Sequence, residues 1–255
     1  MSDKDSIESV FVKQFEADVH TAYQQMGTKL RNTVRSKSNV VGAVTTFQKI
    51  GRGTASTKSR HGIVPVMNLN HTPVECVLQD YYAGDWVDAL DELKTNIDER
   101  RVVASAGAYA LGRKTDELII AAMQKCTHEV KDETDDIKPT IMSMISTLNE
   151  YQVPDDGRRY CIMNSTDWNR LQKIDNIMDH AEHGSTTINY LGVIFMLHNG
   201  VDRIYMYHAS AIGHACGQEV KTDISWHGER QAHFICNSMS QGACLIDDEG
   251  VVKSK

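Results

Sequence analysis

Proline and long apolar runs are both scarce in this chain. Four prolines in 255 residues leave its loops without proline stiffening. No window approaches eighteen uninterrupted apolar residues, which argues against a membrane-spanning helix. The opening MSDKDSIESV is acidic and polar, without the basic stretch and apolar core of a secretory signal. The six cysteines, Cys76, Cys126, Cys161, Cys216, Cys236 and Cys244, include no C-x-x-C pair. Their wide spacing and apolar neighbours read as buried free thiols of a chain assembled in a reducing compartment, rather than as disulfides or metal ligands. There is no internal repeat and no low-complexity tract.

Acidic residues are missing from one segment. Between Lys29 and Thr72 there are eight basic residues and no Asp or Glu: Lys29, Arg31, Arg35, Lys37, Lys49, Arg52, Lys58 and Arg60. The next segment reverses the sign, with Glu75, Asp80, Asp85, Asp88, Asp91, Glu92, Asp98 and Glu99 against Lys94 alone. A basic block ordinarily suggests nucleic acid or an acidic membrane surface. The formal net charge of −7 argues against tight DNA binding by the whole surface. Two readings remain open on charge alone. Either the basic segment of one copy lies on the acidic segment of another, or both are solvated faces of a monomer.

Motifs for catalysis are absent or incomplete. RGTASTKS (52–59) has Arg52 and Thr57 where a phosphate-binding loop needs glycine, so its amides are not arranged to wrap a phosphate. His180 and His183 have helical spacing for a metal pair but no third ligand at motif distance, and also fit a solvated helix end. His208, His214, His227 and His233 are spread over separate C-terminal segments. No G-x-S-x-G elbow and no H-E-x-x-H occurs. No catalytic residue, cofactor or metal is expected.

Ile7, Phe11, Phe15, Val19, Tyr23, Met26, Leu30 and Val34 form one apolar stripe of a long helix, with Asp5 and Glu8 as a capping box. The stripe is narrow, so such a helix covers another surface. Val40–Ile50 and Ile63–Met67 favour strand and flank the polar GRGTASTKSRHG, which reads as a projecting hairpin. A two-stranded hairpin is marginal alone in water, so it needs a surface to lie on. Val74–Tyr82 reads as a strand, Trp86, Leu90 and Leu93 as a short helix, and 98–125 as a long helix. In that helix, Gly107 within VVASAGAYALG suggests close approach of another backbone, and Arg113 is spaced to pair with Asp116 or Glu117. KDETDD (131–136) reads as a link. A helix at 138–151, a strand at 158–164 and a helix capped by Ser165 follow. Strands are expected near 190–198, 203–208, 220–226, 230–236 and 242–246, with Val251-Val252 at the end. The mixture is α+β.

This order of elements resembles the major capsid protein fold of tailed bacteriophages. The segments FQKIGRGTASTKSRHG (47–62), DYYAGDWVD (80–88), ALGRKTDELIIAAM (110–123) and SWHGERQAHFICNSMSQGACLIDDEGVV (225–252) look like one branch of small phage capsid proteins. The resemblance runs from about residue 7 to 252, with 127–215 matching by character only. It implies an N-terminal arm (1–41), an extended β-hairpin loop (42–70), and a peripheral domain (71–135 and 217–255) with a spine helix at 98–125. An inserted axial domain (136–216) completes the fold.

The implied function is a major capsid protein assembling as pentamers and hexamers into an icosahedral shell around double-stranded DNA. Its contacts with packaged DNA are weak and non-specific. In that family the extended loop lies across the neighbouring subunit's peripheral domain. Lys49, Arg52, Lys58 and Arg60 are therefore expected to meet Asp85, Asp88, Asp91 and Glu92 of another copy. The chain begins a few residues before its first helix, implying a separate scaffolding protein or a processed form. A portal and a decoration protein are further implied partners, the virion capsid is the implied location, and the host cytoplasm the site of assembly. Some members crosslink through Lys and Asn, and Lys49 and Lys58 lie in the corresponding segment. Two other readings are an α+β enzyme taking a phosphorylated or acidic substrate through the 49–60 loop, and an encapsulin-like compartment shell.

Overall fold

The computed structural model describes residues 27–90, 99–132, 136–174 and 187–255. Most of the expected N-terminal helix, His180 and His183, and Asp91 and Glu92 lie outside the described residues. The described chain opens with a 3-10 turn (Arg31–Thr33) and β1 (Arg35–Lys37). Next come β2 (Val44–Ile50), β3 (His71–Val77), β4 (Gln79–Asp88) and the long helix α1 (Glu99–Gln124). After β5 (Glu129–Val130) come α2 (Ile137–Glu150), β6 (Arg159–Met163) and α3 (Ser165–Leu171). The remaining strands are β7 (Thr187–Tyr190), β8 (Val193–Leu197), β9 (Tyr205–His208), β10 (Ile212–His227), β11 (Ala232–Leu245) and β12 (Val251–Ser254).

These strands make three sheets. A six-stranded sheet has the order β5-β12-β9-β6-β8-β7, a four-stranded sheet the order β1-β10-β11-β4, and β2 pairs only with β3. Period-2 alternation in β6 and β9 divides the first sheet into two apolar faces. Cys161, Met163 and Met206 point towards α2 and α3, where Ile137, Ile141, Met144, Leu148 and Leu171 bury their side chains. Ile162, Tyr205 and Tyr207 point the other way, onto Ile119, Ile120 and Met123 of α1 and onto Leu30 and Val34 of the arm.

Helix α1 is two helices in character. Its buried residues all lie in its second half, from Leu111 to Met123. Its first half is built of small residues and lies across β11 and β4. A Cβ at Gly107 would stand 2.2 Å from the Asn237 amide nitrogen, so the glycine admits that contact. Asn237 donates to the Ala104 carbonyl at 3.2 Å and accepts from Thr222 at 2.5 Å, tying helix to sheet. At Gly112 a Cβ would lie 2.7 Å from the Cα of Gly27, so the arm's backbone crosses the helix there.

The arm is held chiefly by Asp116, which is 1 % exposed. Its carboxylate accepts from the backbone amides of Lys29 (3.0 Å) and Leu30 (3.1 Å), from the Thr28 hydroxyl, and from the His198 ring at 3.1 Å. Nδ1 of His198 accepts from the Gly200 amide at 3.1 Å. Nε2 therefore carries the proton and donates to Asp116. Burial pushes the Asp116 carboxyl up, but these hydrogen bonds outweigh it and hold the group below the usual carboxylate range. Thr33 adds a 2.5 Å hydrogen bond to the Tyr207 hydroxyl, and the Arg31 guanidinium pairs with Glu219 on β10.

Several expectations are corrected. Trp86 belongs to β4, not to a helix, because β11 pairs with that strand from Gln79 through Asp88. Asn164, not Ser165, caps α3, accepting from the Asp167 amide. The arm leaves helical geometry before Val34, where β1 pairs in parallel with β10. Asp116 also takes the arm and His198, and an intrahelical ion pair forms between Lys114 and Glu117.

Replacing Asp116→Asn is expected to lower stability at neutral pH by about 2 kcal/mol, the scale of a charged hydrogen-bond partner lost from a buried site. A depressed folded-state pKa stabilises the fold above the unfolded value of about 3.9 and is lost as pH falls through the folded value. Urea denaturation across pH 7 to 3 should therefore show a shallower acid limb in the variant. Parallel loss in both proteins would remove Asp116 from this role.

Candidate intersubunit surface

The β2–β3 hairpin is in full antiparallel register from Val44↔Val77 to Ile50↔His71. Its root is seated, not free. Phe47 and Cys76 are buried with Leu78, Ala215, Cys244 and Ile246. Two glycines make room for this seat. A Cβ at Gly213 would meet the Phe47 ring at 2.8 Å, and one at Gly242 would meet the Val77 carbonyl oxygen at 2.1 Å. Arg35 lies over the outer side of the Phe47 ring, 5.7 Å from its centroid.

Two ion pairs then set the direction in which the hairpin leaves the body. Lys49 Nζ lies 2.7 Å from Asp247, and Arg52 lies 2.7 Å from Glu249 while also donating to the Tyr151 carbonyl. The acceptors sit on the turn between β11 and β12. Exposed pairs of this kind contribute only about 0–1 kcal/mol each, so they fix geometry more than they stabilise. Lys49 and Arg52, expected at another copy's acidic segment, are thus already paired within their own chain.

Past the Gly51 amide, which donates to the Asn70 carbonyl at 2.8 Å, the tip has no regular structure until β3 begins at His71. The expected strand at Ile63–Met67 does not form. Beyond Arg52 the hairpin leaves the described body, so the apolar side chains at 63–67 find no part of that body to pack on. Ile63 is 94 % exposed and Val66 80 %, with Val64 and Met67 also exposed. Lys58 and Arg60 flank them on the same tip, both exposed. Such a contiguous apolar patch with a charged border marks an interaction surface.

The acidic partners lie on β4, an edge strand of its sheet. Asp85 accepts from the Trp86 amide and Asp88 from the Leu90 amide, both at 2.8 Å, leaving exposed carboxylates. Beside them Trp86 packs against Phe234 at 4.6 Å and under Arg230 at 4.4 Å. Neither Lys58 nor Arg60 forms an ion pair with Asp85 or Asp88 within one chain.

A model of the phage capsid protein family matches residues 7–255. The chain belongs to that family. Its fold is shared with solved capsid structures at low identity. A chain of Mycobacterium phage Che8 is 18 % identical, covers 91 % of this chain and 93 % of its own, and superposes with a TM-score of 0.71. The capsid of cyanophage P-SCSP1u gives 13 %, 97 % and 93 %, and 0.74. That of Ralstonia phage GP4 gives 11 %, 91 % and 92 %, and 0.73. No curated protein matches the chain. It is a major capsid protein, a structural component of the virion shell.

The residues that suggested other chemistry have ordinary surroundings in this phage capsid protein. Residues 52–59 form an exposed loop with no helix N-terminus after them, so they lack a phosphate-binding frame. His208 pairs with Asp156 at 3.0 Å, and this hydrogen bond holds the Asp156 carboxyl below its usual range. His214 is fully buried and bonds Gln241 at 3.0 Å, while His227 and His233 pack against Trp86 and Trp226. The four do not converge. Among the described residues, no group of three or more His, Cys, Asp or Glu is placed to hold a metal ion.

If Lys49 and Arg52 act within their own chain, reversing them to Glu should loosen the hairpin and speed proteolysis near residues 51–60. Adding Asp247→Lys and Glu249→Lys to the same chain should restore protection. Mixing the two singly reversed proteins should not. Restoration in the mixture would show that the pairs cross between copies.

Proposed function

We propose that this capsid protein self-assembles as pentamers and hexamers into an icosahedral shell enclosing double-stranded DNA. One copy's hairpin tip lies on the next copy's β4 face. The observation that carries this reading is the tip itself: an apolar, basic-bordered limb that stays exposed among the described residues. Lys58 and Arg60 face Asp85 and Asp88 of the neighbour, and Asp91 and Glu92 extend the same acidic segment. Exposed pairs are individually weak, so their effect comes from register repeated over every copy.

The structure supports a division into an arm, a hairpin (42–70), a peripheral part of α1 with the four-stranded sheet, and an axial part of the six-stranded sheet with α2 and α3. In this division β12 joins the axial sheet, next to β9, although the sequence order had placed it in the peripheral domain. A net charge of −7 fits a container that confines DNA rather than binds it tightly. Free buried cysteines fit assembly in the reducing host cytoplasm. Scaffolding, as a separate protein or as a segment removed by processing, and a portal are the partners such a shell would take, and a decoration protein is an optional third. The fold also resembles a virus-like particle from Pyrococcus furiosus, at 12 % identity and a TM-score of 0.64. The family match over residues 7–255 favours the phage shell over a cellular compartment.

Changing Lys58→Glu with Arg60→Glu should abolish closed shells and rings in negative-stain electron micrographs, with the far-ultraviolet circular dichroism of the subunit unchanged. Normal shells from the doubly reversed protein would overturn the docking scheme.

A further inference from the structure

Four of the six cysteines are enclosed or engaged by groups other than thiols. Cys126 donates to the Val251 carbonyl at 2.8 Å, Cys236 lies against the Asn237 carbonyl, Cys216 sits beside Glu219 and Arg31, and Cys161 is enclosed against α2 and α3. Cys76 on β3 and Cys244 on β11 are different: the largest influence on the acidity of each thiol is the other thiol. Both are buried in the cluster that seats the hairpin. Gly242 brings the two strands together, since its absent Cβ would lie 2.1 Å from the Val77 carbonyl and 3.4 Å from the Cys76 sulfur. Cys244 follows two residues later on the same face of β11. A cavity of about 280 Å³, lined in part by Cys244, Gly242, Glu75 and Lys125, opens beside Cys244.

We propose that Cys76 and Cys244 are a redox modification site, a dithiol that closes to a reversible disulfide and fastens the hairpin root to β11. The oxidant is a small disulfide entering through the cavity. One protein thiolate attacks its S–S bond and releases one small thiol, leaving a mixed disulfide. The second protein thiolate then displaces the other small thiol. Two protein S–H bonds and one oxidant S–S bond become one protein S–S bond and two small-molecule S–H bonds. The protein gives up two electrons and two protons, and the oxidant takes them.

The local electrostatics suit this exchange. The Cys244 thiol draws the Cys76 thiol below its usual range, and Cys76 together with burial pushes Cys244 above it. Lys125 favours the thiolate form of both. The consequence is directional in time. The root is held non-covalently while the chain is in a reducing compartment and becomes covalently fixed once the surroundings oxidise.

The test is to expose the full-length folded chain to dipyridyl disulfide, alkylate the remaining thiols, digest, and map the cysteine peptides by mass. The expected product links the Cys76 and Cys244 peptides with the loss of two hydrogens, and dithiothreitol reverses it. Oxidation should also raise the thermal midpoint by about 5 °C. That rise should be absent in Cys76→Ala and Cys244→Ala and kept in Cys236→Ala. Recovery of Cys76 and Cys244 as alkylated thiols or as separate mixed disulfides would overturn the proposal, as would linkage only after denaturation. The wild-type map decides the matter even if a buried Cys→Ala variant fails to fold.

Discussion

The body of this subunit is organised around one buried carboxylate. Asp116 sits on α1, at the level where the arm crosses the helix and where the turn after β8 reaches it. An ionised group so enclosed is tolerated only when its oxygens are fully answered by donors. Here the donors come from two different parts of the chain: residues 28–30 of the arm and His198. Each half of the arrangement is therefore incomplete without the other. The arm cannot leave without exposing an unmatched charge, and the six-stranded sheet keeps its position against the spine helix through the same atoms. Leu30 and Val34 can then bury their side chains beside Ile119 and Met123.

Against that fixed body the hairpin is a contrasting design. Its root is packed as tightly as the core, down to two glycines where no side chain fits. Its middle is steered by exposed ion pairs, and its tip is unsatisfied. Order falls along its length from apolar packing to weak electrostatics to a few contacts within the tip. This gradient suits a part that takes a defined direction from its own subunit and its final contacts from elsewhere. In the proposed docking the acidic edge strand and the aromatic face beside it are the complementary half, on the same sheet that α1 backs.

Much of this was legible in the residues. The spine helix was read at 98–125 and found at 99–124, and α2 and β6 lie within a residue of their expected bounds. Their periodicity is strong and local. The long strands β10 and β11 were read only as three short pieces. Gly217, Gln218 and the run from Asn237 to Gln241 interrupt the apolar pattern, and only the neighbouring strands make these residues extended. Helical spacing offers Asp116 or Glu117 to Arg113 but does not show that Asp116 binds the arm and His198, contacts that are distant in sequence. The pairing of Lys49 with Asp247 spans 198 positions, and no spacing rule connects residues so distant. The charge asymmetry of the two halves was plain from sequence, but which charges are satisfied at home required the fold.

The six-stranded sheet holds β12 between β5 and β9, although β12 follows every other described strand in the chain. During translation the sheet stays divided until residue 254 leaves the ribosome, with β5 lacking its only partner in that sheet. Long-range pairing of this kind delays the closing of the sheet until β12 has been made. A subunit without β12 in place presents an unfinished body and is no building unit.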